Sequence, residues 1–524
     1  MNRIHRVWGS AFIAVGLACV FLADFGWAEL QNVQVGGEIR MRYRYYRNVF
    51  EQDFSNTVRI PGDFLPKRPI GASDVFSLFD WDAEGPDWHF AETAVLLNVR
   101  ADLTDNVSAY IELYDYAVWG EDFRSNYITG ADFRADTGDD VEINQSYIQL
   151  DSVFDLPLRV RVGRQALVMG KGWLVNEMLT PTQRLSFDAV RAIYETDVFS
   201  LDAFWAKPLE GGVGEQDGDV DFYGVYATYK AFKPLSVSAY WYLLRDARSR
   251  NDTDYDAFSE WFEGVIERDN YDPTTLHTVG MRFNGALGSW DYDLELAYQF
   301  GEADSVGARF VPIGMMYGDD DARYDNFAAD LRTGYTFDVA WKPRVSVMGA
   351  YFGGQDNRDL SFWEWANPLY RPDASVSFNR LFADYNYLPV VNDNGWLSNF
   401  YMVGAGVDLH PSEKVLLHVQ LVKAWIDAPF DQPAYWNVGD FRIPLAPNLS
   451  FWTTEGSNDI GYEASFYVKY NYSEDLYFLL YYSHLFAGDG LTDGGYFQFN
   501  GTAFSGGSDD QDADYVFLMS VLKF

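Results

Sequence analysis

From Val33 to Tyr45 apolar and polar positions alternate: Val33, Val35, Ile39, Met41, Tyr43 and Tyr45 fall on one face, Glu38, Arg40, Arg42 and Arg44 on the other. Period-two alternation over this length predicts a strand with one apolar and one wet face, the wet one strongly charged. The pattern returns at Phe90–Leu103, Val107–Tyr116, Val141–Leu150, Leu158–Val168, Phe187–Glu195, Val198–Ala206, Phe222–Lys230 and Leu235–Leu244. It continues at Leu276–Phe283, Trp290–Phe300, Phe327–Phe337, Val345–Phe352, Phe400–Leu409, Val415–Trp425, Ile460–Tyr472 and Leu476–Phe486. The last stretch, Ala513–Phe524, places Val516, Leu518, Leu522 and Phe524 on one face. Terminal residues fray unless tied down, so an apolar terminal strand requires a partner strand. About 18 strands result, most near the 9–11 residues that a tilted strand needs to cross a bilayer.

The connections fall into two classes. Asp105-Asn106, Asp151–Pro157, Thr196-Asp197, Ala231–Pro234, Asn284–Ser289, Asp338–Arg344, His410–Lys414 and Ser473–Asp475 are short and rich in turn residues. Between them lie long polar segments, among them Asn48–Trp88, Asp246–Thr274, Gly301–Tyr324, Gly353–Asn399, Ile426–Asp459 and Ala487–Asp512. Short periplasmic turns alternating with long extracellular loops predict an all-β, antiparallel outer-membrane barrel with both termini on the periplasmic side. Closing the last strand on the first would remove both sheet edges. A secreted sandwich or propeller would explain the alternation but not the two loop classes, and no fixed repeat period is present.

Composition strengthens this reading. Aromatics make up 18% of the 524 residues, with 36 Tyr and 40 Phe, yet the formal charge is −38. A barrel uses such aromatics at the membrane interfaces and towards lipid while polar residues fill the lumen. Arg3, His5 and Arg6 precede an apolar run from Val7 to Leu22, and Gly26-Trp27-Ala28 follows, the form of a secretory signal peptide cleaved near Ala28. Removing Arg3, Arg6 and Asp24 takes away a net +1 and leaves residues 29–524, the barrel domain, at −39. The single cysteine, Cys19, lies in that leader, so the mature chain has no disulfide framework. No later apolar run reaches the roughly 18 residues of a spanning helix. An acidic chain of this kind offers no partner for nucleic acid.

At 158–175 the chain reads LRVRVGRQALVMGKGWLV, and at 187–206 FDAVRAIYETDVFSLDAFWA. These stretches, with GYEASFYVKYNYSEDLYFLLYYSHL at 461–485 and the following Phe486–Asp489, resemble the alginate-export family of outer-membrane porins. The resemblance implies an 18-stranded barrel in a Gram-negative outer membrane, inserted by the barrel-assembly machinery. It further implies a lumen whose arginines pass a polyanion, and it leans towards a monomer where porins are often trimers. By alternation Arg40, Arg42, Arg44, Arg100, Arg159, Arg161, Arg191 and Arg332 take the wet face, where fixed charge selects counter-ions. Glu38, Glu92, Glu112, Asp291, Asp293, Glu295, Asp330 and Glu463 take the same phase. Two expectations follow, an anion-attracting constriction or a wall braced by cross-strand ion pairs with little net field. The acidic excess departs from an alginate exporter, and much of it sits in the loops, at the entrance.

Asp252, Asp254, Asp256 and Glu263 have the acidic spacing of a calcium loop, with Ala257 where its glycine would stand, so bound Ca2+ is one expectation. Divalent bridging of the acidic loops to lipopolysaccharide phosphates is another. The histidines show no metal-ligand spacing, and neither a nucleophile elbow nor a phosphate-binding glycine loop occurs, so catalysis is not expected. The sequence therefore predicts a channel for passive diffusion of small hydrophilic or charged solutes, narrowed by one or more long loops folded inward, with Gly353–Asn399 and Asn48–Trp88 the candidates. The alternatives are a dedicated export pore for an anionic, alginate-like polysaccharide and a structural or adhesive surface barrel.

Overall fold

A computed structural model describes residues 32–48, 87–119, 141–177, 184–210, 219–230, 234–247, 273–302, 322–354, 374–383, 385–390, 397–429, 457–492 and 512–524. It also places short pieces at 58–61, 75–81, 309–310, 316–317, 363, 431–433, 435–438, 441–444, 453–455, 496–499 and 502–505. The expected leader lies outside the described residues, as do Asp252, Asp254, Asp256 and Glu263 and most of Asn48–Trp88.

Eighteen strands form one closed antiparallel wall. They are β1 Asn32–Arg47, β2 Trp88–Thr104, β3 Val107–Val118, β4 Glu142–Leu150, β5 Leu158–Gln165, β6 Phe187–Glu195, β7 Phe199–Leu209, β8 Val220–Tyr229 and β9 Leu235–Asp246. They continue with β10 Thr274–Leu287, β11 Trp290–Glu302, β12 Ala322–Thr336, β13 Arg344–Phe352, β14 Phe400–Ser412, β15 Val415–Ile426, β16 Asp459–Asn471, β17 Leu476–Ala487 and β18 Ala513–Lys523. Each pairs with its sequence neighbours, and β18 closes on β1 in the register Glu38↔Lys523 to Arg47↔Asp514. A closed ladder satisfies every strand's backbone groups internally, as a hydrocarbon surround demands.

The phase of the alternation is the expected one. Val35 on β1, Ile148 on β4 and Leu518 on β18 are more than half exposed on the outer face, while Arg42, Glu92 and Asp330 are buried on the inner one. Outward Tyr43, Trp205, Trp241, Tyr298 and Tyr462 supply amphipathic rings for the interfaces. The carboxyl-terminal residue ties the closure: its N–H donates to Gly37 O at 3.1 Å and its carbonyl accepts from Gly37 N–H at 2.9 Å. The Phe524 ring lies where a Cβ on Gly37 would stand, 2.6 Å from Cζ, so only glycine leaves the ring that place.

Strand length varies from 17 residues in β2 to 8 in β5. The short strands mark departures from a plain tube. β5 stops at Gln165, three residues before its expected end, and the chain turns into the lumen. A second inward segment follows β13, where Ala374–Val376 pairs in parallel with Ala322–Tyr324 of β12.

Candidate channel lumen

The two inward segments meet each other inside the barrel. Residues 166–177, after β5, and 377–390, before β14, join through a parallel bridge between Val175 and Phe382. Phe382 N–H donates to Leu174 O at 2.9 Å and Asn176 N–H to Phe382 O at 3.0 Å. They dock on inward aromatics at the extracellular ends of the neighbouring strands. Phe382 meets Phe187 and Phe222 edge-on at 4.9 Å each, and Trp173 lies 5.7 Å from Phe352, which stacks on Phe400 at 5.3 Å. Trp173, Phe222, Phe352, Phe378 and Phe400 are completely buried. Part of the lumen's outer half is thus filled by an aromatic core. The expected inward fold of Gly353–Asn399 is realised by its described residues between 377 and 390, whereas the inward turn of 166–177 overlaps the end of the expected strand Leu158–Val168.

Polar contacts fix the same segments to the wall. Trp173 Nε1 donates to the Tyr387 hydroxyl at 2.8 Å, and that hydroxyl donates to Asp330 at 2.7 Å. Burial and the neighbouring Asp330 carboxylate push the Tyr387 phenol well above its ordinary pKa, which keeps its proton available. Lys171 Nζ reaches the same Asp330, with Asp293 at 3.2 Å and Glu295 at 3.7 Å. Asn379 N–H and O bond both ends of the Gln299 amide at 2.7 Å each.

All sixteen charged residues placed on the wet face by alternation take the inward phase, but they do not form one cluster. Most are neutralised locally. Arg40 pairs with Glu38 at 2.7 Å, Arg42 and Arg44 share Glu92, and Arg100 pairs with Asp102 at 3.1 Å. Glu112 accepts from Tyr110, Asn144 and Gln145 at 2.8, 2.6 and 3.0 Å. Arg159 pairs with Asp151 at 2.7 Å; partial burial pushes that carboxyl's pKa up, and the Arg159 and Gln149 hydrogen bonds more than offset it, leaving it below the usual range. Arg191 holds Asp202 at 3.0 Å, and Arg332 lies 4.4 Å from the Tyr385 ring and 3.9 Å from Asp330. Glu463 accepts from Ser483 at 2.7 Å and from Val390 N–H at 3.4 Å. Local pairing therefore neutralises most of these charges, along one strand for Arg40–Glu38 and Arg100–Asp102 and across strands for Arg42 and Arg44 with Glu92 and Arg191 with Asp202.

Arg161 departs from that pattern. Across the sheet it faces Gln149 on one side and Arg191 on the other. Its Nε donates to Gln149 at 2.7 Å and its guanidinium lies 4.9 Å from the Tyr147 ring. No carboxylate among the described residues is within ion-pair distance of it. Directly opposed like charges destabilise a sheet. Beneath Val168-Met169-Gly170 of the first inward segment, Arg161 lines a cavity of about 480 Å³ with Arg159, Arg191, Lys230 and Arg282, against Glu195 and Asp202 only. The cavity lies on the periplasmic halves of β5 to β10 and, with Asp151 beside Arg159 and Asp293 beside Arg282, keeps one uncompensated positive charge, that of Arg161. Alternation located Arg159, Arg161 and Arg191; Arg282, Lys230 and Asp202 were not singled out, nor was Lys171, although its setting between two glycines marked a turn.

The sequence model of the alginate export family matches residues 85–500. The chain belongs to the alginate export family. This family's barrels reside in the Gram-negative outer membrane, and the protein is an outer-membrane channel. No curated protein matches the sequence. Among solved structures, Pseudomonas aeruginosa OccK8 (OprE) is 10% identical with a TM-score of 0.48, covering 94% of this chain and 98% of its own. Pseudomonas aeruginosa OpdL is 9% identical with a TM-score of 0.47, covering 94% and 99% respectively.

Proposed function

We propose that this family member conducts negatively charged hydrophilic solutes across the outer membrane. Arg161 carries the reading: an inward arginine that opposes another arginine and has no carboxylate among the described residues weakens the wall and serves a passing anion instead. The cavity around it opens on the periplasmic half and would concentrate anions there, since a ring of fixed charge attracts ions of opposite sign. The outer connections have the opposite sign. Residues 247–273 carry eight carboxylates against three arginines, and 488–512 five aspartates and no basic residue. Fixed negative charge at the mouth acts on an anion moving either way, at ranges of about 8 Å at physiological salt, so the direction of net flow is set by the solute gradient. Family membership and this polarity favour a linear anionic saccharide as cargo over a neutral nutrient.

Proteoliposomes separate the two. Glucuronate should cross faster than glucose, and Arg161→Gln should bring the two rates together without lowering that of glucose. Equal rates through the unaltered protein would overturn the anion reading in favour of a general diffusion pore.

A further inference from the structure

The Gly170-Lys171-Gly172 turn sits between the basic cavity and the acidic wall of β11 and β12. Gly170 lines the cavity, while Lys171, its neighbour, turns away into Asp293, Glu295 and Asp330. Gly170 and Gly172 have φ of +60° and +78°, in the left-handed region that a side chain disfavours, and a Cβ on Gly170 would meet the Tyr226 hydroxyl at 2.5 Å. The turn therefore presents one side chain, the lysine, to the acidic wall, and Lys171 adds its anchorage to that of the buried Trp173 and the Met169–Val175 and Leu174–Phe382 backbone bonds.

Two features make that anchorage releasable. First, each carboxylate keeps another partner without Lys171: Asp293 the Arg282 guanidinium at 3.1 Å, Glu295 the same group at 3.9 Å, and Asp330 the Tyr387 hydroxyl with Arg332. Second, Asp330 is the wall residue that Lys171 of one inward segment and Tyr387 of the other share, beside the separate Asn379–Gln299 and Val390–Glu463 contacts. Loosening one contact there loosens the seat of the joined pair. Arg282 also lines the cavity, so an anion held there lies against the turn.

We infer that Lys171 is the latch of the two inward segments, and that an anionic solute collected in the cavity opens the constriction by drawing Lys171 off its three carboxylates. The inference rests on the anion-channel reading for its trigger but not for its latch. Coupling between two sites commonly amounts to 5–150-fold.

Single-channel recording on the refolded full barrel tests both parts, with heat-shift electrophoresis to show that each variant is folded. In KCl alone Lys171→Met should raise occupancy of the largest conductance state about fivefold or more. Asp330→Asn should do the same, and Lys171→Arg should behave as the unaltered protein. Oligogalacturonate added on the periplasmic side should raise that occupancy in the unaltered protein and have no further effect on Lys171→Met. Unchanged gating of folded Lys171→Met in KCl overturns the latch. An oligogalacturonate response that persists in Lys171→Met, or is missing from the unaltered protein, overturns the trigger. A reversal potential without anion preference, beside a raised occupancy in Lys171→Met, refutes the anion reading and leaves the latch standing.

Discussion

Arg161 and Arg191 face each other across β5 and β6, and only Arg191 has its own carboxylate, Asp202. Opposed like charges cost roughly what favourable cross-strand pairs contribute, about 0.2–1 kcal/mol. Arg161→Gln should accordingly leave the barrel as stable or stabilise it by about that amount, read as the midpoint of urea unfolding in detergent. A clear loss of stability would show that the arginine braces the wall, and its role in conduction would fall with it. At this scale the inward phase of all sixteen candidates was legible, because period two fixes which face a residue takes. Which of them remain unneutralised was not legible. Arg159 finds Asp151 in the turn and Arg191 finds Asp202 one strand over, pairings set by register rather than by order in the chain.

The strands were legible as elements, and the inward segments only in part. Eighteen alternating stretches became eighteen strands, with ends shifted by a few residues: β12 begins at Ala322 where Phe327 was expected, and β10 runs on to Leu287. Leu158–Val168 was too long by three residues because Ala166 and Val168 continue the apolar phase, while Leu167 and Met169, on wet-phase positions, already bury against the aromatic core. A signal for that core was present. The inner positions of β7 run Ser200, Asp202, then Phe204 and Ala206, and those of β8 run Phe222, Gly224, Tyr226, then Thr228 and Lys230. Wet positions that turn apolar towards the extracellular end announce something packed inside the tube. Replacing 374–390 with a short Gly/Ser linker should raise single-channel conductance and expose Trp173 to an aqueous quencher. Conductance and quenching both unchanged would mean that the segment does not narrow the pathway.

For the molecule as a whole, closure and charge polarity are the organising features. The acidic excess that departed from an arginine-lined exporter resides largely in the outer connections, while the described lumen keeps its basic cavity, so the two facts are compatible. Closure rests on the register from Glu38↔Lys523 to Arg47↔Asp514, which Phe524 extends by one pair of bonds. Phe524 bonds Gly37 through both backbone groups and lays its ring on the glycine. Phe524→Ala should slow assembly, seen as a smaller heat-shifted fraction in outer membranes after a pulse of synthesis, with normal conductance in the barrels that do form. An undiminished folded fraction would place the closure signal elsewhere in β18.

The most direct test of the account is the reversal potential of the refolded barrel in a planar bilayer under a KCl gradient. The account predicts a potential on the chloride side of zero that moves towards zero in Arg161→Gln. A potential on the potassium side would contradict it, since the acidic mouth and not the basic cavity would then govern what the channel passes.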